Sequence, residues 1–215
     1  MIEGNLPIHA SWTLAFFIYL TTEFLENLLS LFPEIFYCDM AFIDLVKKRR
    51  SIRKYEDRKV EEEKLQSIVK AALMAPSSKR CQPWHFVVVD DKETLAKLSV
   101  CREMGSKFLE GAPAAIIVLA DTTLSNVWTE DASIAAAYMQ LQAEDLGLGS
   151  CWVQVRNRKK TEAGDLTSDA YIRGLINAPE NLSVECIIGV GYKGEEKNPF
   201  DEAKLKLDRI HKNSF

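Results

Sequence analysis

What is scarce in this sequence narrows its chemistry before any motif is considered. Only three histidines occur (His9, His85, His211), and the five cysteines Cys38, Cys81, Cys101, Cys151 and Cys186 form no CxxC pair. A Cys/His zinc site and a disulfide framework are both disfavoured, no metal site is expected, and reduced cytoplasmic thiols are the expectation. P-loop, GxSxG and HExxH motifs are missing, which removes the usual signatures of nucleotide hydrolysis, serine hydrolysis and zinc proteolysis. The apolar run Trp12 to Leu20 has nine residues, against about 20 for a bilayer span, so no membrane span is expected. A basic surplus is lacking too: the formal charge is -4. That argues against a broad nucleic-acid-binding face, so any anion site must be local. What is present is ordinary: 215 residues, 47% hydrophobic and 27% charged, with 10 Gly and 7 Pro, enough for one folded domain with a sizeable core.

Composition changes abruptly near residue 40. Residues 1–39 hold no Lys or Arg yet carry Glu3, Glu23, Glu26, Glu34 and Asp39. They lack the basic n-region and small-residue cleavage site of a secretory signal, so secretion is not expected. They read as an atypical N-terminal extension, with three alternatives open: an amphipathic helix packed on the body or a partner, a weak membrane-surface anchor, or upstream sequence translated before a start at Met40. Residues 40–215 read as one mixed α/β unit without repeats or low-complexity tracts.

Helical spacing is expected around Phe42 to Val46 and from EEEK through Ala72, the latter closed by Pro76. Further helices are expected around Glu93 to Leu98, from a cap at Ser125 or Asn126 to Gly147, around Ser168 to Ile176, and around Asp201 to Ile210. Buried strands are expected at Phe86 to Val89, Ala114 to Ala120, Cys151 to Val155 and Val184 to Val190. The segment DASIAAAYMQLQA is apolar or small on nearly every side, which suits a domain interior or a subunit interface.

Three motifs carry chemical interest. Arg49-Arg50-Ser51-Ile52-Arg53 gathers three guanidinium groups and a hydroxyl at a helix end, a donor set matched to a phosphate; a solvated basic helix end is the plainer alternative. The loop Ala75-Pro76-Ser77-Ser78-Lys79-Arg80-Cys81-Gln82-Pro83 is stiffened by prolines and offers hydroxyl, ammonium and amide donors suited to a flat polar heterocycle, or it is a simple connection. Gly147-Leu148-Gly149-Ser150-Cys151-Trp152-Val153-Gln154 lets backbone approach a ligand closely, or is a helix-to-strand turn. Gly189-Val190-Gly191-Tyr192-Lys193-Gly194 matches GxGxxG, but EEKNPF follows instead of a helix and the chain has too few residues left for a βαβ unit, so it is rejected as a dinucleotide fingerprint. Cys81 and Cys151 have no His and acid tied to them and read as structural thiols, and His85 and His211 read as structural too.

Taken in order, RRSIRKY, APSSKRCQPWHF, EDASIAAAYMQLQAEDLGLGSCWVQ and IIGVGYKGEEK resemble the FMN-dependent nitroreductase family over about residues 42–211. The resemblance implies an α+β fold, a three-layer α/β/α sandwich with a mixed sheet of four to five strands. It also implies an intertwined homodimer with two FMN sites at the subunit interface. By the same resemblance Arg49, Arg50 and Ser51 contact the FMN phosphate and ribityl chain, and Arg53 lies toward the pyrimidine edge of the flavin. There a fixed cation favours the negative charge of the reduced ring. Pro76, Ser77, Ser78, Lys79 and Gln82 belong to the loop that lines the cofactor from the partner subunit. Val153 and Gln154, within the segment running to Arg156, face the reactive flavin edge, and Lys193 lies near a later phosphate-contacting region. One departure stands out: Arg80 occupies a loop position that is commonly Asn in the family, which puts ring recognition there in doubt.

The implied activity is that of a cytoplasmic FMN oxidoreductase. It would take hydride from NADH or NADPH and pass electrons by a ping-pong cycle to a nitroaromatic, quinone or similar small acceptor. Two alternatives stay open: a flavin enzyme of the same fold with another reaction, such as dehalogenation or ring oxidation, and a non-catalytic FMN-binding protein.

Overall fold

The structure, a computed structural model, describes residues 41–215; the expectations made for residues 1–39, with His9 and Cys38, lie outside the described residues. From Phe42 to Phe215 the chain forms one unit. Its elements run α1 (Phe42–Lys48), α2 (Glu62–Leu73), β1 (Trp84–Val89), α3 (Lys92–Ser99), β2 (Ala114–Asp121), α4 (Trp128–Asp145), β3 (Leu148–Gln154), α5 (Ser168–Leu175) and β4 (Leu182–Tyr192). Short helical starts are fixed by side chains where the sequence supplies them. Asp91 accepts from the Thr94 N–H at the start of α3, and Thr167 from the Ala170 N–H at the start of α5, each satisfying a donor the helix cannot.

The four strands form one sheet in the order β1-β2-β4-β3, and every pairing among them is antiparallel. The sheet is therefore antiparallel and not mixed as expected; among the described residues the one parallel pairing is an isolated bridge, Ser51 to Ser150, outside the strand ladder. The run AAIIVLA becomes the buried strand β2 and serves two cores. Ala114, Ile116, Val118 and Ala120 face Leu65, Ile68 and Ala72 of α2 and Ala132, Ala135, Ala136, Met139 and Ala143 of α4. Ala115, Ile117 and Leu119 face Leu95 and Leu98 of α3, Leu109, and Ile172 of α5. The result is helix, sheet and helix in three layers, and each buried Ile, Leu or Val adds about 1.5–3 kcal/mol of hydrophobic stabilisation. The alanines of α4 let that long helix lie close against the sheet, which is why it lacks a wide polar face.

Two elements differ from the sequence expectation. The helix expected from Ser125 or Asn126 begins at Trp128: the Ser125 hydroxyl accepts from the Val127 N–H and donates to Asp131, so it shapes the entry to the helix rather than capping it. At the other end the expectation holds, for Gly147 has φ +74, the left-handed conformation that glycine adopts without cost. The helix expected over Asp201 to Ile210 is replaced by two 3-10 turns, Glu202–Lys204 and Leu207–Arg209, in a fully exposed segment. A ten-residue helix that buries no face is marginal in water.

Candidate cofactor-binding site

Past α1 the chain runs along one end of the sheet and is stitched to it. The Ile52 N–H donates to Ser150 O at 3.0 Å, the Glu56 N–H to Tyr192 O at 3.1 Å, and the Gly194 N–H to Lys54 O at 2.9 Å. Ile52, 2% exposed, plugs this segment into the core, and Gly149 makes room for it, since a Cβ there would sit 2.8 Å from the Ile52 side chain. Tyr55 donates its hydroxyl to Ile52 O at 2.9 Å, and burial holds its proton on well above the ordinary phenol range.

This anchoring presents Arg49, Arg50, Ser51 and Arg53 to one cavity of about 760 Å³, which Ile43, Val46, Phe200 and Leu205 line with apolar surface. Glu202, at the cavity, and Glu195, beside the cluster, are already engaged. Glu202 pairs with Lys47. Glu195 accepts from the backbone N–H of Arg53 at 2.7 Å and of Lys54 at 3.2 Å and pairs with Lys197 at 2.8 Å. Those contacts, the Lys197 ammonium foremost, hold the Glu195 carboxyl down at about 2. Among the described residues, none of the guanidiniums of Arg49, Arg50 and Arg53 is ion-paired; Arg50 donates to the Asn198 carbonyl at 3.2 Å. Three unpaired cations and a hydroxyl at the mouth of an apolar-sided cavity fit a phosphate group attached to a larger planar body.

The loop after α2 is held differently. Lys79, Arg80 and Gln82 all take positive φ, at 50, 57 and 44, a region L-residues enter at a cost of about 1–2 kcal/mol each. The conformation is fixed from α4. Asp131, 3% exposed, accepts from the Ser78 N–H at 2.8 Å, from the Ser125 hydroxyl at 3.1 Å and from the Cys81 thiol at 3.6 Å. The Ser77 hydroxyl accepts from the Gln82 N–H at 3.0 Å. Lys79, Arg80 and Gln82 are thereby left exposed.

A model of the family described as "Nitroreductase family" matches residues 46–101 and 99–192, most of the chain. The chain belongs to the nitroreductase family. It is 37% identical over 178 residues to a protein of Archaeoglobus fulgidus named NADH dehydrogenase/NAD(P)H nitroreductase, an alignment covering 80% of this chain and 98% of that one. Among solved structures it resembles an FMN-dependent nitroreductase of Clostridium difficile R20291, with a TM-score of 0.78, 54% identity, and 80% and 99% of the two chains covered. It also resembles an NADH dehydrogenase/NAD(P)H nitroreductase of Bacteroides thetaiotaomicron, with a TM-score of 0.74, 32% identity, and 82% and 99% covered.

In this nitroreductase-family chain the expected site residues fall into separate groups. Arg49, Arg50, Ser51 and Arg53 share the cavity described above. Pro76, Ser77, Ser78, Lys79 and Gln82 lie on the strained loop and do not line that cavity. Val153 has its side chain in the core. Gln154 is half-buried with its amide engaged: the Trp152 indole N–H donates to its Oε1 at 2.9 Å, and its Nε2 donates to Arg156 O at 3.0 Å. Lys193 is paired with the buried Glu144 at 2.6 Å. The rejected GxGxxG stretch is packing rather than phosphate chemistry: a Cβ on Gly189 would meet Phe108, on Gly191 would meet Pro113, and on Gly194 would meet the Tyr55 backbone.

Sequence reasoning missed Asp131 and Glu195. Each acts through backbone N–H groups far away in sequence, and no local pattern marks that. Three of the cysteines, Cys101, Cys151 and Cys186, are poor nucleophiles. Burial pushes Cys101 up to about 11 and raises Cys151 and Cys186 as well, although the Arg53 guanidinium pulls Cys151 the other way.

Proposed function

We propose that the protein binds FMN through the Arg49-Arg50-Ser51-Arg53 cluster and catalyses NAD(P)H-dependent reduction of a small acceptor, a nitroaromatic or quinone, in two half-reactions that share one site. Family membership supports the NAD(P)H-dependent flavin chemistry, and the unpaired guanidinium cluster over a large cavity is the single observation that carries the binding assignment. FMN bound there would supply the hydride and electron-transfer chemistry that the side chains do not offer.

The chain's own residues bind, orient and supply charge. Arg49, Arg50 and Ser51 hold the phosphate by charge-assisted hydrogen bonds. Arg53, fixed at its backbone by Glu195, sets a permanent positive charge toward the pyrimidine edge of the ring, where it favours charge arriving with hydride. Ser51 is bridged to Ser150 near the start of β3. Gln154, four residues on, lies ~13 Å away at about 3.3 Å per residue, so β3 leads from the phosphate cluster toward the reacting edge. No side chain acts as obligatory acid or base.

A homodimer completes this reading. The exposed loop of residues 76–82 would serve the partner's cofactor, and the exposed tail from Phe200, which returns over α1 through its N–H to Lys47 O at 2.8 Å, would be the intertwining arm.

The test is an absorbance spectrum of the purified protein from about 300 to 600 nm, before and after anaerobic NADH or NADPH; flavin bands that bleach are expected. A colourless protein that fails to take up added FMN would overturn the reading. Bands that persist with both nucleotides would leave only a non-catalytic flavin-binding protein.

A further inference from the structure

Just beyond β3 the chain is clamped to β4 in an irregular way. The N–H groups of Val155 and Arg156 both donate to the Glu185 carbonyl, at 3.3 and 3.0 Å, and Asn157 follows with φ +59. Glu185 is itself the extra residue of a β-bulge: Val118 of β2 faces Cys186 and Leu119 faces Val184. A bulge re-aims a side chain, and here it turns a carboxylate inward. Glu185 is 4% exposed. Its Oε1 accepts from the Ser133 hydroxyl at 3.4 Å, and its Oε2 has no hydrogen-bond partner. The nearest cation is Arg156, with Nε 4.0 Å from that oxygen.

Arg156 lies beside two groups. Nε faces Glu185, and the guanidinium carbon lies 5.7 Å from the centre of the Trp128 ring. Its side chain is 42% exposed, and among the described residues its Nη1 and Nη2 make no hydrogen bond. A part-exposed guanidinium set beside a buried carboxylate and an aromatic ring, with two nitrogens that make no hydrogen bond among the described residues, is suited to a planar oxyanion. An acid buried in a strand between Val184 and Cys186 is otherwise costly; orienting this arginine gives it a use.

We propose that Arg156 recognises an anionic group, carboxylate or phosphate, on one of the two reactants, and that Glu185 is the positioning residue that aims it. This rests on the proposed reading of residues 153–156 as lining the reacting edge. The anion comes from one of two sources, a carboxylate on the acceptor or the additional phosphate that distinguishes NADPH from NADH.

Protonation of Glu185 tunes the affinity. Burial raises the Glu185 carboxyl against the pull of Arg156. The groups facing it are Arg156 and Gln154 from the β3 end, Ser133 and Glu130 from α4, and the neighbouring Cys186 thiol. With the proton on, Arg156 presents its full charge; as pH rises and the proton leaves, the carboxylate offsets that charge and the anion is held less tightly.

The test is titration of FMN-supplemented protein with benzoate, benzamide and inorganic phosphate, followed by tryptophan fluorescence, in wild type, Arg156→Gln and Glu185→Gln. Arg156→Gln is expected to weaken benzoate or phosphate by about tenfold or more and to leave benzamide unchanged. Wild-type anion affinity should fall with pH, and Glu185→Gln should flatten that profile. Relative kcat/KM values assign the source: a selective loss with 4-nitrobenzoate against nitrobenzene points to the acceptor, a selective loss with NADPH against NADH to the donor. Equal anion affinity in wild type and Arg156→Gln would overturn the proposal, and an unchanged pH profile in Glu185→Gln would remove Glu185 from it. Failure of the flavin reading would show separately, as absent bleaching by NAD(P)H, because fluorescence reads Arg156 whether or not flavin turns over.

Discussion

At the scale of single residues, the site depends on close approach more than on reactive groups. Gly149 lies on β3 beside Ser150, and the Ile52 side chain occupies the space its Cβ would need, with Ile52 Cβ only 2.8 Å away. Adding that methyl must push Ile52 out, and Ile52 is flanked by Ser51 and Arg53. Gly149→Ala is therefore expected to lose about 1–3 kcal/mol of stability and to weaken FMN binding with it. Denaturant unfolding and a flavin titration check this, with Gly111→Ala as control because nothing lies within 4 Å of a Cβ there. A Gly149→Ala protein as stable and as flavin-competent as the control would refute the account. The arginine cluster was legible in sequence because its residues are contiguous. Asp131 was not: an acid in the first turn of an Ala-rich helix looks like ordinary dipole compensation, and only the fold brings the Ser78 N–H to it. Arg80, with φ +57, sits where the resemblance led to Asn, a residue that tolerates the left-handed region better.

At the scale of elements, periodicity located the helices from α1 to α5 and all four strands, since each buries a face whose spacing the sequence displays. It failed for the tail, where DEAKLKLDRI has helical spacing but buries no residue. The stretch from Ser51 to Glu56 is the reverse case. It has no periodic signal, yet it is the element that aims the cluster, and its hold on the sheet end includes Glu195. The Glu195 carboxyl, held at about 2 in the folded protein, stabilises fully above the usual carboxylate range of about 4.3, and that contribution is lost as pH falls toward 2. Wild type should exceed Glu195→Gln in urea midpoint at pH 6, and the gap should close progressively below about pH 4.3. A gap that stays constant down to pH 2.5 would show that the carboxylate's charge is not what holds the Arg53 and Lys54 N–H groups.

At the scale of the whole molecule, the described residues leave apolar surface exposed along α1 and α4. On α4 the residues Ile134, Ala137, Tyr138 and Leu141 recur at helical spacing, and the first three are exposed. Tyr138 and Leu141 share a groove with Phe42 and Leu45 of α1 and Ala71 of α2. Phe42 is 68% and Ile43 57% exposed. A contiguous apolar region of this kind marks an interaction surface, and the same helix was flagged in sequence because it lacks a polar face. The proposed partner is a second copy, as the sequence resemblance implies, and the loop held by Asp131, which does not line its own chain's arginine cavity, is the part such a partner would use. Ile134→Glu together with Tyr138→Glu alters two side chains that are each 40% exposed in the single chain, so it costs the chain little, but it would bury two charges in the proposed dimer. Dimer dissociation is expected to become easier by about tenfold or more, with FMN affinity falling in parallel as sites lose the partner's loop. Light scattering during size-exclusion chromatography, with flavin content measured on each peak, reads both quantities at once. A monomeric wild type that retains flavin would overturn the shared site, and a monomeric double variant that retains flavin would show that the cofactor is held within one chain.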